Sequence, residues 1–305
     1  MHKNIVKVMA FNGTIQGIAI DSTEIVRQAQ EIHKLSPVAA AALGRTLTAA
    51  AMMASDFKRA DDALTIQIKG DGPLGGILVT ADATCSVKGY VHHPAVDLPP
   101  NSTGKLDVSG AVGKNGYLNV IRDTGLKEPY IGNVALVSGE IAEDLTHYFS
   151  ISEQIPSAVA LGVLVGVDGI VEKAGGYIIH LMPGADDQSV KFVDGGVNLF
   201  SSVTSLLSEG LTPAELLKLI FSEENCKVVD EKEGQYRCNC SRERMERNLL
   251  TLGDKDLQEL AEDHSGIELS CHFCNHQYRF SQEEMQKLQA EALVSKRDTV
   301  ERINE

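Results

Sequence analysis

Two mainly apolar runs, 5–11 and 14–20, read as short strands with Asn12-Gly13 between them. An Asn-Gly step between two such runs predicts a β-hairpin. A helical period follows. Ile25, Ala29 and Ile32 recur at helical spacing, with Asp21 as the expected cap and Glu24 as its capping-box partner. Ser36-Pro37 opens a second helix over 38–54, which is alanine-rich and apolar on most sides, the pattern of a buried helix. Residues 63–69 alternate, and with 77–81 and 86–91 they read as a meander turned at Gly70-Asp71-Gly72-Pro73. Short apolar runs at 117–121 and 131–137 predict more sheet, and 155–167 and 176–182 also read as strands. Between them Ser138 is expected to cap a helix running to Phe149, with Ile141, Leu145 and Tyr148 on one side.

From Pro183-Gly184 onward the pattern turns helical. Residues 187–222 read as helices broken at Gly210 and restarted by Thr212-Pro213. Phe200, Val203 and Leu207 share one face there, as do Leu216 and Ile220. Five of the eight residues 201–208 are Ser or Thr, so that helix relies on tertiary packing rather than on its own propensity. Beyond it lie two more short helices over 241–250 and 254–262, a stop at Gly266, a strand at 277–280, and a Ser281/Glu284 capping box for a last helix.

The chemistry concentrates in that last stretch. Four of the six cysteines form Cys238-Asn239-Cys240 and Cys271-His272-Phe273-Cys274, with 30 residues between the pairs. Two close pairs on separate turns can set four sulfurs at the corners of a tetrahedron, the arrangement zinc prefers. Reduced cysteines without metal and a pair of structural disulfides are the alternatives. A disulfide across C-x-C closes a very small, strained ring, and strained disulfides are the labile, regulatory ones. The cluster therefore reads either as a staple or as a redox switch. Arg237, Arg242, Arg244 and Arg247 flank the first pair, either as cations favouring thiolates or as an ordinary solvated helix face.

Charge and composition narrow the classes. Residues 226–305 carry 12 Lys and Arg against 17 Asp and Glu, −5, and the remainder 16 against 25, −9. Neither part is basic, which argues against a nucleic-acid phosphate footprint. The opening residues lack the apolar core of a signal peptide, and the run 158–167 is too short to cross a bilayer, so a soluble cytoplasmic protein is expected. In that compartment clustered cysteines are more often metal ligands or redox sensors than standing disulfides. The glycines at 70–76 lead into a strand rather than a helix, so they read as a turn and not as a phosphate cradle. His92 and His93 are neighbours on opposite faces of a strand, His180 reads as a packed core histidine, and Cys85 as a small buried hydrophobe. No Ser/His/Asp set appears, and the chain is expected not to be an enzyme.

The sequence resembles the 33 kDa chaperonin (heat-shock protein 33) family over essentially its full length. The resemblance rests on Cys238-Asn239-Cys240-Ser241-Arg242-Glu243-Arg244 and Cys271-His272-Phe273-Cys274-Asn275, supported by 67–76, 152–157 and 175–183. It implies an α+β architecture: a mixed sheet-and-helix N-terminal domain (1–184), a helical linker (185–225) and a small C-terminal zinc domain (226–305). It further implies an ATP-independent, redox-regulated holdase. Zinc would be held by Cys238, Cys240, Cys271 and Cys274 in the reduced, inactive form. Oxidation would pair Cys238 with Cys240 and Cys271 with Cys274, release zinc, unfold the C-terminal domain and linker, and expose apolar surface to unfolding client proteins, with the oxidised form a homodimer. No nucleic-acid or membrane partner is implied. The competing reading is a thiol-disulfide oxidoreductase using Cys271 and Cys274.

Overall fold

The structure, a computed structural model, describes residues 3–198 and 202–292. The chain packs as two compact units, Met1–Arg237 and Cys238–Glu305. In the first, β1 (Ile5–Ala10) and β2 (Ile15–Asp21) form the expected hairpin. Its turn places Asn12 and Gly13 at φ of 57° and 87°, left-handed angles that these two residues tolerate best. The cap expected for α1 (Thr23–His33) needs correction. Asp21 ends β2, and its Oδ1 accepts from the Thr23 N–H at 3.0 Å and hydroxyl at 2.6 Å. Ser22 occupies the cap position instead, and Glu24 pairs with Arg27 at 2.9 Å.

Helix α2 (Pro37–Ala54) starts as read, with Ser36 Oγ accepting from the Ala39 N–H. Sixteen of its 18 residues are buried, so no face is left for water. Small alanines let it pack against strands of both sheets of this unit. It is the one helix among the described residues long and apolar enough to cross a membrane, and 89% of it is buried inside the fold.

The meander β3 (Ala63–Lys69), β4 (Ile77–Asp82) and β5 (Ser86–Val91) forms as predicted. A short helix that the pattern does not announce, α3 (Val108–Val112), is capped by Asp107 and followed by β6 (Tyr117–Asp123) and β7 (Tyr130–Ala135). The next helix, α4 (Ala142–Tyr148), starts later than expected because Asp144, not Ser138, organises its entry. The fully buried Asp144 carboxylate accepts N–H groups from Val137, Ser138, Gly139 and Ile141 at 2.8–3.4 Å. Strands β8 (Ser157–Val165) and β9 (Val171–Leu181) then make a long hairpin.

Three helices follow, α5 (Asp187–Asn198), α6 (Val203–Ser208) and α7 (Pro213–Phe221), the last opened by a Thr212/Glu215 capping box. Phe200, expected to share a face with Val203 and Leu207, lies outside the described residues. Residues of the 226–305 segment then return to the first unit. β10 (Cys226–Lys232) runs antiparallel to β1, and β11 (Gln235–Tyr236) runs parallel to β5. The sheets order as β10-β1-β2-β9-β8 and β11-β5-β4-β3-β6-β7.

The five-stranded sheet is apolar on both faces, and the alternation along its strands shows how. Ile5, Ile18, Ile20 and Ile178 join the core around α1 and α2. Val6, Val8, Ile15, Ala19 and Ile179 point the other way, into a second core closed by Val193, Val203, Leu207, Leu216, Leu217, Ile220 and Phe221 of α5–α7. Two glycines seat those helices. A Cβ at Gly17 would lie 2.6 Å from the Phe221 ring, and one at Gly175 2.4 Å from a Leu207 methyl.

The second unit is small. α8 (Arg242–Leu250), α9 (Asp254–Glu262), the hairpin β12 (Ile267–Ser270) and β13 (Gln277–Phe280), and α10 (282–292) enclose Leu249, Leu257, Ala261, Phe280, Met285, Leu288 and Ala292. The Ser281/Glu284 box at the start of α10 forms as read, with N–H contacts of 2.8 and 3.3 Å.

Candidate metal and redox centre

Backbone geometry brings the two cysteine pairs to one place. Cys271 and Cys274 form a knuckle at the tip of the β12–β13 hairpin. The Cys271 N–H donates to His276 O, while the N–H groups of Cys274 and Asn275 both donate to Cys271 O. Asn275 turns the chain at φ of 56°, a conformation that asparagine adopts more readily than most residues. Cys238 and Cys240 are fixed by the start of α8, where Ser241 Oγ accepts from the Arg244 N–H at 3.3 Å.

The four sulfurs lie within 4.8 Å of one another, with Cys238–Cys271 at 3.7 Å and Cys240–Cys274 at 3.4 Å. Tetrahedral sulfurs about 2.3 Å from a zinc ion stand about 3.8 Å apart, so the donor set has the size and chemistry of a closed tetrathiolate site. Cys271 is buried and the other three are half-buried. Among the described residues no other group of three or more His, Cys, Asp or Glu side chains gathers this way.

The thiols are not equivalent. Burial raises Cys238 and Cys274 above the usual thiol range, against backbone N–H bonds from Cys240 and His276 that pull them down. Burial also raises Cys240, but the Tyr278 hydroxyl and the neighbouring sulfurs outweigh it and hold this thiol low. Tyr278 Oη donates to Cys240 Sγ at 3.1 Å, and that bond in turn pushes the phenol up. The sequence left the flanking arginines either as thiolate-stabilising cations or as a solvated helix face. Arg242 instead lies over the Phe280 ring at 4.3 Å and binds Glu284 at 2.6 Å, and Arg244 binds Asn239 Oδ1 at 3.1 Å. Neither is among the main causes of the shifts of Cys238, Cys240 or Cys274. The residue missed was Tyr278. Its only signal in the sequence was the alternation of β13, which gives no hint of a hydroxyl bonded to sulfur.

The remaining singled-out residues stand apart from this cluster. Cys85 is fully buried, with its thiol pushed up to about 11 by burial, and Cys226 is half-buried in β10. His180 is buried against Phe149, its Nδ1 2.7 Å from Ser157 Oγ, and burial drives it down to about 4. The glycine turn spends its own donors on the fold, since the Gly72 and Leu74 N–H groups bond Val112 O and Ala111 O. That leaves no phosphate cradle there. An oxidoreductase C-x-x-C sits near a βαβ unit, whereas this one is a β-hairpin knuckle sharing its space with two further sulfurs.

Comparison with known proteins agrees with this geometry. A sequence profile described as Hsp33 protein matches residues 3–281. A "33 kDa chaperonin" of Acetivibrio thermocellus is 51% identical over 288 residues, covering 94% of this chain and 97% of its own. A protein of the same name from Ruminiclostridium cellulolyticum is 53% identical over 284 residues, covering 93% and 97%. The crystal structure of a 33 kDa chaperonin (heat shock protein 33 homologue) from Thermotoga maritima superposes with a TM-score of 0.88 at 36% identity, covering 96% of this chain and 99% of its own.

Proposed function

The chain belongs to the Hsp33 family of chaperones, and from that premise we propose that it is a redox-regulated, ATP-independent holdase of the reducing cytoplasm. The observation that carries the regulation is the gathering of Cys238, Cys240, Cys271 and Cys274 within 4.8 Å. Zinc, when bound there, supplies a closed structural clamp contributing on the order of 10–16 kcal/mol of folding free energy. Oxidation acts on the sulfurs. Two thiols surrender two electrons and two protons to a two-electron oxidant such as a peroxide, and one disulfide forms. By family likeness the pairs are Cys238–Cys240 and Cys271–Cys274. Sulfurs bonded to each other no longer ligate a cation, and a unit whose core among the described residues is seven modest side chains then lacks its staple.

The binding surface follows from the second core. Residues 1–184 supply a sheet face of Val6, Val8, Ile15, Ala19 and Ile179, and the helices within 185–225 cover it. α6 and the residues before it are rich in Ser and Thr, so this cover depends on packing rather than on intrinsic helicity. Loss of the C-terminal fold would loosen the cover and bare an apolar patch large enough to hold unfolding clients, with a homodimer as the oxidised assembly. No chemical transformation of a client is required, so the role is not enzymatic.

The test is direct. A heat-aggregating client is mixed with reduced zinc-loaded protein or with peroxide-treated protein, and light scattering is followed. Suppression by the oxidised form alone is expected. Equal suppression by both forms refutes redox control, and no suppression by either removes the holdase reading.

A further inference from the structure

Tyr278 lies outside the four cysteines yet is bound to one of them. The β12–β13 register pairs it with Leu269, so the same hairpin that carries the Cys271/Cys274 knuckle also fixes this ring. The His276 ring stands edge-on to it, centroids 4.6 Å apart at 70°, which restricts the direction of the hydroxyl. Oη donates to Cys240 Sγ at 3.1 Å. Cys238 and Cys274 take backbone N–H groups, from Cys240 and His276, and a side-chain exchange cannot remove those. The Tyr278 bond is therefore an adjustable contact on a reacting atom.

We infer that Tyr278 is a brake on oxidation, a positioning residue whose O–H withdraws charge from the Cys240 sulfur and slows its attack on peroxide. The inference rests on the redox-regulated reading above. In the step concerned, the Cys240 thiolate attacks one oxygen of hydrogen peroxide. An S–O bond forms, the O–O bond breaks, and the departing hydroxide is protonated to water, leaving a sulfenic acid. A second cysteine thiolate then attacks that sulfur. The S–S bond forms, the S–O bond breaks, and hydroxide leaves to become the second water. An O–H donated to the thiolate stabilises the starting sulfur more than the transition state, in which its charge is already passing to oxygen. A thiolate's nucleophilicity follows only about 0.4–0.5 of its change in basicity, so removing one charge-assisted bond is expected to accelerate attack about threefold to tenfold.

The experiment uses the full-length, reduced, zinc-loaded protein treated with hydrogen peroxide. Thiol loss is read by quenched thiol titration and metal release by a chromophoric chelator. Tyr278→Phe keeps the ring and its packing, and both rates should rise about threefold to tenfold, while Tyr130→Phe in the other unit leaves them unchanged. Incorporation of 3-fluorotyrosine at 278 makes a stronger donor, and both rates should fall below wild type. That opposite sign separates a hydrogen-bond brake from mere loosening of the hairpin, which would accelerate both variants. Equal rates for wild type and Tyr278→Phe, or acceleration by both replacements, overturn the inference while leaving redox control intact. A wild-type protein that loses neither thiols nor metal overturns the redox reading and the brake together.

Discussion

Phe221 tests whether the helical cover holds the sheet face shut. Its ring is fully buried at the end of α7, in the slot left by Gly17 on β2, beside Leu217. Phe221→Ala removes the ring from a site that cannot collapse, because the slot floor is strand backbone. Truncations of this kind cost about 3–5 kcal/mol. The substitution lies wholly within the contact between α7 and the sheet, so most of that loss falls on docking of the cover. Three kcal/mol corresponds to more than a hundredfold rise in the undocked population, at about 1.4 kcal/mol per factor of ten. Leu219, 45% exposed on the same helix, provides the control, since Leu219→Ala deletes an apolar side chain from the solvent side. The assay is amide hydrogen exchange over 187–221 in the reduced, zinc-loaded protein, together with bis-ANS fluorescence and client light scattering. Phe221→Ala should lose protection across the three helices, bind dye and suppress aggregation without oxidant, whereas Leu219→Ala should resemble wild type. Wild-type protection in Phe221→Ala, alongside a lowered global unfolding midpoint, would refute the reasoning. The ring would then stabilise the core without holding a separable cover.

Three further outcomes are expected. Burial lowers His180 to about 4 from a free value near 6.5, so the unfolded chain binds the extra proton between those limits. The stability associated with neutral His180 is complete above pH 6.5 and is lost as pH falls towards 4, by about 3 kcal/mol at about 1.4 kcal/mol per unit. Denaturation of His180→Gln across this window should show a correspondingly shallower slope, and identical slopes would contradict the assignment. Asp144→Ala strands four N–H groups and should destabilise the first unit by about 3–5 kcal/mol, with Asp144→Asn intermediate, as measured by chemical denaturation. Stripping metal from the reduced protein with a strong chelator should abolish amide protection over 238–292 while β1–β9 keep theirs. Persistent protection in that segment would show that it folds without a clamp.

Much of the fold was legible because the signals were local. Asn12-Gly13, the alternating run 63–69, Ser36-Pro37 and Thr212-Pro213 each specify their element within a few residues. What escaped depended on distant partners. β10 has the charged sequence Cys226–Lys232, and only its pairing with β1, more than 200 residues away, makes it a strand. Asp144 caps from inside the helix rather than ahead of it, so Ser138 looked like the better candidate. The four cysteines were readable from spacing alone, whereas the environment of the sulfurs was not. Arg242 and Arg244 turn to Phe280, Glu284 and Asn239, and the hydroxyl that reaches Cys240 comes from a residue 38 positions later.

Seating helices in slots at Gly17 and Gly175 shapes what their departure would leave behind. Without a side chain at those points, the uncovered sheet presents shallow furrows floored by peptide backbone and walled by valine and isoleucine. Furrows of that kind select for greasy bulk of almost any outline, because no projecting group dictates a matching shape. Indifference to sequence, the property a guardian of many unrelated proteins needs most, would then follow from the spaces that two missing methyl groups leave open.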